Sequence, residues 1–264
     1  AKIMHYYAPA KVNIFLKIVG TRGNYHELFS RFVRVPTLCD TLWFEPKKSV
    51  EPFELVGDFN CSVEDNTLYK AYDALCQEGF SQHVSAVMAE LALHVKKSIP
   101  TGAGLGGGSS DSATFLKMLN EQAGLKLTCK ELMEIGSRVG ADVSFFASEV
   151  QSANVSGIGE VVNLFEEEAL EIEIFTPDIA CHTGKVYQTY REYFLQTMDK
   201  PQALKMLSLS SEKLVKQFSK EELNDLYAPA LKIYPELSLY AKEGWFFSGS
   251  GSSFFRLAHK VNNG

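Results

Sequence analysis

Five glycines fall within the seven residues Gly102-Ala103-Gly104-Leu105-Gly106-Gly107-Gly108, and Ser109-Ser110-Asp111 follows at once. An apolar alternation ending at Pro100 precedes them and a helical pattern follows, so the run joins a strand to a helix. Such a stretch exposes successive backbone N–H groups with no side chains in the way. At a helix N-terminus those donors and the aligned peptide dipoles favour a polyphosphate. A plain flexible turn would carry a chain-entropy cost of about 0.5–1 kcal/mol per glycine with nothing to offset it. Two familiar phosphate loops fit poorly. A Walker loop ends in Gly-Lys-Ser/Thr, and here Gly108 runs into Ser109 with no lysine. A dinucleotide loop, literally present as Gly102, Gly104 and Gly107, belongs in a first strand–helix unit with an acid about 20 residues on. Here the run lies 100 residues into the chain, and Gly124 to Leu127 holds no acid.

Two further positions carry chemistry-bearing side chains. Val12, Ile14, Leu16 and Ile18 alternate with Lys11, Asn13, Phe15 and Lys17, the pattern of a half-buried strand that puts Lys11 and Asn13 on one face. Taken alone, Lys11 reads equally as a solvated lysine. Asp142 lies in a short turn between a helix ending near Gly140 and an apolar run, Val143-Ser144-Phe145-Phe146, that reads as a strand. Taken alone, it is equally an ordinary turn aspartate.

The elements that must position these residues are readable in outline. Asn66 is a good N-cap for a helix burying Leu68, Tyr72, Leu75 and Cys76. Leu91, Leu93 and Val95 alternate into a strand. After the glycines comes a helix carrying Ala113, Leu116 and Leu119. A capping box, Thr128-Cys129-Lys130-Glu131, opens the next, which buries Leu132, Ile135 and Val139 and takes Gly140 as its cap. Leu170, Ile172 and Ile174 form a strand. Amphipathic helices run from about 183 through Tyr240, and two aromatic strands, Trp245-Phe246-Phe247 and Phe254-Phe255, flank Ser248-Gly249-Ser250-Gly251-Ser252-Ser253.

Composition sets the outer limits. The 264 residues are 45% hydrophobic and 22% charged, as in an ordinary folded protein. A net charge of -6 argues against nucleic-acid or anionic-membrane binding, though backbone amides can still hold phosphate. No apolar run reaches bilayer length, and Ala1-Lys2-Ile3-Met4-His5 has neither signal-peptide nor transit character, so a cytoplasmic address is expected. The five cysteines (Cys39, Cys61, Cys76, Cys129, Cys181) lack metal-ligand spacing and read as reduced packing residues. His5, His83, His94, His182 and His259 show no pairing logic and read as structural. No carboxylate cluster grips a metal, so magnesium is expected to arrive with a nucleotide.

The stretch Pro100 to Ser110 resembles the nucleotide loop of the GHMP kinases. Its Gly-Leu-Gly-Gly-Gly-Ser-Ser-Asp is similar to the branch that phosphorylates 4-diphosphocytidyl-2-C-methyl-D-erythritol. Other stretches agree in order: Ala8-Pro9-Ala10-Lys11-Val12-Asn13, Gly23-Asn24-Tyr25-His26, Glu64-Asp65-Asn66, Gly140-Ala141-Asp142-Val143 and Gly157-Ile158-Gly159-Glu160. Asn224-Asp225-Leu226, Tyr234-Pro235-Glu236-Leu237 and Ser248-Gly249-Ser250-Gly251 complete the set, which covers nearly the whole chain.

The resemblance implies an α+β protein of two lobes: a nucleotide-binding domain over 1–160 and a smaller substrate-binding α/β domain over 161–264, with the boundary somewhere in 155–170. It implies ATP-dependent phosphorylation of the substrate's tertiary 2-hydroxyl, a step of non-mevalonate isoprenoid precursor biosynthesis, in a bacterial cytoplasm. Lys11 and Asp142 become the catalytic pair, the aspartate taking the proton and the lysine steadying the attacking oxygen. Asn66 and Lys97 contact the adenosine half of ATP. Pro100, Thr101, Gly102, Ala103, Gly104, Leu105, Gly106, Gly107, Gly108, Ser109 and Ser110 cradle its phosphates. Asn13, Tyr25, His26, Thr183 and Tyr187 bind the cytidine substrate; a core place on an amphipathic helix remains the other reading of Tyr187.

Two departures stand out. Glu27-Leu28-Phe29-Ser30-Arg31 is less apolar than the family's usual run, so the cover over the substrate is expected to differ. The chain ends soon after the second glycine loop, where many relatives add a helix and strand, so an abbreviated second lobe is expected. Two rivals are another GHMP kinase, against which Tyr25, His26 and the triple glycine count, and a non-catalytic nucleotide sensor, which has no use for both Lys11 and Asp142.

Overall fold

The structure, a computed structural model, describes residues 2–258; His259 lies outside the described residues. Its contacts divide the chain into two compact units. The first comprises Ala1–Ala10, Pro36–Ile99 and Gly106–Val150, and the second Lys11–Val35, Pro100–Leu105 and Gln151–Gly264. Two long strands, β1 (Tyr6–Arg22) and β2 (Tyr25–Pro46), pair with each other and contribute residues to both units. The units thus follow contacts in space, whereas a division at 160/161 follows chain order.

In the first unit, Thr41–Pro46 of β2 pairs antiparallel with β4 (Leu91–Lys96), and β3 (Leu55–Val56) joins β4 in parallel. The helices are α1 (Thr67–Leu75), α2 (Ser81–Glu90), α3 (Gly107–Gln122), α4 (Cys129–Val139) and α5 (Val143–Ser148). Helix α3 packs against α1, α4 and α5 and buries Phe115, Leu116, Met118 and Leu119. The capping box on α4 forms as expected: Thr128 accepts from the Glu131 amide, and Glu131 accepts from the Thr128 amide. Gly140 does follow α4, but with extended backbone (φ -173°) rather than a left-handed cap.

The run after Asp142 corrects the sequence reading. Val143–Ser148 is a helix, not a strand. Val143, Ser144, Phe145, Phe146 and Ala147 are all buried, so nothing polar breaks the run on any face. A short, fully buried segment carries no periodicity to separate helix from strand.

The second unit pairs Ser30–Val33 of β2 antiparallel with β5 (Ser152–Ser156), which pairs in turn with β6 (Val161–Leu164). A separate sheet runs in the order β7 (Ile172–Phe175), β9 (Phe254–Leu257), β8 (Phe246–Phe247). Among the described residues five α-helices follow β7: α6 (Thr183–Tyr193), α7 (Lys200–Leu207), α8 (Ser211–Gln217), α9 (Lys220–Leu223) and α10 (Tyr227–Ile233). Leu16, Ile18, Val186, Tyr190, Leu226, Tyr227, Phe247 and Phe254 share one core. Among the described residues no helix is long and apolar enough to cross a membrane.

Strand β1 is not half-buried. Lys11 and Lys17 are each 4% exposed and Asn13 2%, alongside the apolar face. Polar residues can occupy an interior face when each finds a partner. Lys17 Nζ reaches Asp225 Oδ1 at 2.7 Å, and the Ile18 amide donates to Asp225 Oδ2 at 2.7 Å. Asp225 lies 208 residues beyond Lys17, which is why alternation alone misplaces this face.

Two polar clusters anchor the interiors. In the second unit Arg31, fully buried, donates through Nε to Asn154 Oδ1 (2.7 Å) and through Nη2 to the Leu207 carbonyl (3.1 Å). Its guanidinium stacks 3.5 Å from the Phe165 ring centroid and lies 3.9 Å from Glu167. Burial pushes it down to about 10, against the opposing pull of Glu167. Glu167 in turn accepts from the Ser211 amide and hydroxyl at the start of α8. The charge that departs from the family's apolar run is therefore an internal tie for α7 and α8.

In the first unit Lys97 Nζ bridges Asp40 (2.6 Å) and Asp111 (2.8 Å). Asp40 also accepts from the Ser98 and Ile99 amides at 2.6 and 2.8 Å. Burial opposes its ionisation, but hydrogen bonds from Asp111, these amides and Lys97 hold it below the usual carboxylate range. Burial pushes Asp111 up to about 8, with Lys97 resisting and Asp40 adding to the rise. The pair is thus biased in opposite directions, Asp40 towards the ionised form and Asp111 towards the protonated one.

Two outcomes are expected. Arg31→Met leaves Glu167 buried without its cation and lowers unfolding stability by about 3–5 kcal/mol, read from urea midpoints at unchanged slope. For Asp111 the folded pKa lies above the unfolded one, so its contribution is fully present below about pH 4 and is lost as pH rises towards 8. Asp111→Asn therefore gains stability relative to the native chain between pH 5 and pH 8; a constant difference across that window refutes the protonated assignment.

Candidate active site

The glycine run begins in the second unit. Gly102 and Gly104 have φ of +63° and +75°, a region that side chains rarely adopt. At Gly104 any Cβ would sit 2.1 Å from the Ser248 carbonyl oxygen, so two backbones meet there with no room for a methyl group. The carbonyls of this stretch are all held. Gly102 O accepts from the Cys181 and Ser252 amides (3.0 and 3.2 Å), and Ala103 O from the Ser253 amide (3.0 Å). Gly104 O accepts from Ser248 Oγ (2.9 Å) and Lys11 Nζ (3.2 Å), and Leu105 O from the Lys11 amide (2.9 Å). In a trans peptide the N–H points opposite its carbonyl, so fixing these oxygens fixes the direction of the next four amides.

In the first unit Gly106 (φ +70°) caps α3, and Gly107, Gly108 and Ser109 form its opening turn, two residues earlier than Ser109 as expected from sequence. Ser110 is the first residue whose amide finds an intrahelical acceptor, Gly106 O at 2.9 Å. The preceding amides have none by helix geometry, and the helix dipole adds to their field. Ser110 Oγ and Asp111 Oδ1 are buried with no hydrogen-bond partner. Asn66 caps α1, accepting from the Leu68 amide at 2.9 Å, and a Cβ on Gly108 would lie 3.8 Å from Thr67 Oγ1. A Cβ on Gly107 would lie 3.4 Å from Lys97 Nζ. This unit therefore gathers two helix N-termini, Asn66, Lys97 and Gly106–Ser110. Pro100 and Thr101, at the far end of the run, are exposed.

Lys11 is buried on β1 in the second unit; its ammonium donates to Asn13 Oδ1 and lies 4.9 Å from the Phe32 ring centroid. The Asn13 amide donates to Ser248 Oγ (3.2 Å), and Asn13 Nδ2 donates to Ser30 Oγ (3.1 Å). Asp142 belongs to the first unit. It stands at the N-cap position of α5, half-buried, with helical φ/ψ and no side-chain bond to that helix.

The residues expected to meet cytidine also gather in the second unit. The His26 ring lies 5.0 Å from Tyr187 and 6.1 Å, edge-on, from Tyr190. Arg191 donates to the Tyr25 carbonyl (3.2 Å) and to His26 Nε2 (3.4 Å). Burial, with Arg191 nearby, lowers the His26 pKa below its ordinary value. Tyr25 is 62% exposed, leaving its ring face open. Thr183, at the start of α6, shares a hydrogen bond with Ser250 (2.9 Å). Sequence reasoning passed over Arg191 and Asp40, and it quoted Asp111, Ser248 and Asn224 within motif stretches without giving them a role. Arg191 had a signal, since it follows Tyr187 by four residues and so shares its helix face. Asp40 had none.

The family model for the GHMP kinases N terminal domain matches residues 66–149. A 4-diphosphocytidyl-2-C-methyl-D-erythritol kinase of Sulfurimonas denitrificans is 54% identical over 264 residues, 99% of this chain and 99% of that one. Its counterpart in Sulfurovum sp. (strain NBC37-1) is 45% identical, covering 95% of this chain and 97% of its own length. A crystal structure of 4-(cytidine 5'-diphospho)-2C-methyl-D-erythritol kinase superposes with a TM-score of 0.72 at 30% identity, covering 97% of this chain and 90% of that one. With the glycine cradle at the start of α3 and the mixed α+β architecture in two sheets, these likenesses agree on one assignment: the chain belongs to the GHMP kinase family.

Proposed function

We infer that this chain transfers the γ-phosphoryl group of ATP to the 2-hydroxyl of 4-diphosphocytidyl-2-C-methyl-D-erythritol, a step of non-mevalonate isoprenoid precursor synthesis. The observation that carries the reading is the glycine run itself. Its carbonyls are held by the fold and its amides lead into the open first turn of α3, a cradle that side chains would obstruct. In this reading residues 1–160 serve the nucleotide and, through Asn13, Tyr25 and His26, part of the substrate, the rest of which falls to 161–264; the cell compartment is a bacterial cytoplasm.

Phosphoryl transfer demands positioning and charge stabilisation more than covalent chemistry. Gly102–Ser110 orient the phosphates, and Asn66 and Lys97 meet the adenosine end. Lys97, gripped by Asp40 and Asp111, acts as a fixed cation. Tyr25, His26 and Tyr187 hold the cytosine, Thr183 and Asn13 the remainder of the substrate. Asp142 accepts the proton of the attacking hydroxyl. Lys11 stabilises the developing alkoxide and helps to align it. Magnesium would arrive with ATP; Ser110 Oγ and Asp111 Oδ1, buried without a hydrogen-bond partner, would be the oxygens to hold it, and the ion would neutralise phosphate charge.

Two substitutions test separate halves of this reading. Asp142→Asn keeps size but removes basicity. Single-turnover phosphorylation should slow by about 10²-fold, the lower end of the general-base range, because a loose transition state needs little early proton removal. Near-normal turnover by the folded variant removes Asp142 from the mechanism. Tyr25→Ala loses a stacking platform worth about 1–3 kcal/mol, so the KM for the cytidine substrate should rise about 5- to 150-fold. The KM for ATP should hardly move; equal damage to both constants would assign Tyr25 to the fold.

A further inference from the structure

Asn224 is buried (2% exposed), and no part of the proposed reaction uses it. Its Nδ2 donates to two carbonyls of the second glycine turn, Phe247 O at 3.1 Å and Gly249 O at 2.9 Å. Its Oδ1 accepts from the Leu226 amide at 2.9 Å, which fixes the orientation of the side-chain amide. The same segment is bound to β1: Asn224 bridges Leu16, the Asp225 amide donates to Leu16 O (2.9 Å), and the Asp225 carboxylate takes Lys17 and the Ile18 amide. One side chain thus fixes the second glycine turn against the strand that carries Lys11 and Asn13.

The turn passes this order on through Ser248, which is fully buried. Its hydroxyl accepts from the Asn13 amide and donates to Gly104 O, the carbonyl that also receives the Lys11 ammonium. Its own carbonyl occupies the space that a Cβ on Gly104 would need. Ser248 Oγ and Lys11 Nζ therefore fix one peptide of the glycine run from two sides, and that peptide's other end is the Leu105 amide. All these residues lie within the second unit.

We propose that Asn224 and Ser248 are positioning residues for the nucleotide: they set the Gly104–Leu105 peptide, and with it the amides of the phosphate cradle, in concert with Lys11. The inference rests on reading Gly102–Gly108 as that cradle. It predicts an energetic coupling that a merely structural role lacks.

The test is equilibrium binding of a non-hydrolysable ATP analogue, followed by calorimetry on the full chain, so that inactive variants remain measurable. Ser248→Ala and Asn224→Asp should each weaken the analogue about 5- to 30-fold, the scale of one or two kcal/mol. Binding of the cytidine substrate should fall by less than that of the analogue. Combining Ser248→Ala with Lys11→Ala should cost less than the product of the single losses, because both act on one carbonyl. Leu214→Ala, a core truncation elsewhere in the second unit, should lower stability without moving the analogue's affinity. Gly107→Val separates the two levels. If it binds the analogue normally, the cradle reading is wrong. If it loses the analogue while Ser248→Ala binds normally, or while the Ser248–Lys11 cycle is additive, the positioning role is wrong. Should Asn224→Asp not fold, Ser248→Ala and its cycle decide alone.

Discussion

The contact between Gly104 and Ser248 is the constraint on which the rest of the arrangement depends. A backbone oxygen stands where a β-carbon would be, so neither turn can move without the other. Interiors are close-packed, and a contact this close transmits position rather than absorbing it. From Gly104 the consequences run in both directions along the chain. Upstream, Gly102 and Ala103 are tied to Cys181, Ser252 and Ser253; downstream, Leu105 is tied to Lys11. The cradle and the lysine are therefore built from a single hydrogen-bonded frame in which glycine supplies the close approach and serine the adjustable donor.

The two buried cationic clusters solve a similar problem by opposite means. Arg31 spreads its donors over two carbonyls, an amide oxygen and a hydroxyl, with its face on an aromatic ring and Glu167 3.9 Å away; a planar fork suits that dispersal. Lys97, a compact charge, sits between two carboxylates instead. A second ionised acid beside the first is repelled in so buried a place, which biases Asp111 towards its protonated form. The first cluster organises helices, while the second holds one ammonium in place at the opening of α3.

What the sequence disclosed depended on whether the determining contact was local. The Asn66 cap, the Thr128–Glu131 box, the glycine-to-helix junction and the paired aromatic strands all rest on neighbours a few residues apart, and all appear. The polar face of β1 does not yield to the same reasoning. Lys17 is buried because Asp225 comes from the far end of the chain, and Asn13 because Ser30 meets its side-chain amide from the next strand. The run at Phe145-Phe146 fails for a different reason: uniform burial erases the periodic signal. In the site, the glycines and the Asp142 turn were legible as candidates. The carboxylates around Lys97 were not, because Asp40 stands in a strand 57 residues away with no motif to mark it.

The interleaving of the two units has a consequence for how such a protein can change over time. The chain crosses from one unit to the other at 10/11, 35/36, 99/100, 105/106 and 150/151. A gene fusion or a single recombination event exchanges contiguous stretches, so it cannot deliver either unit whole. The two units are therefore inherited as one piece.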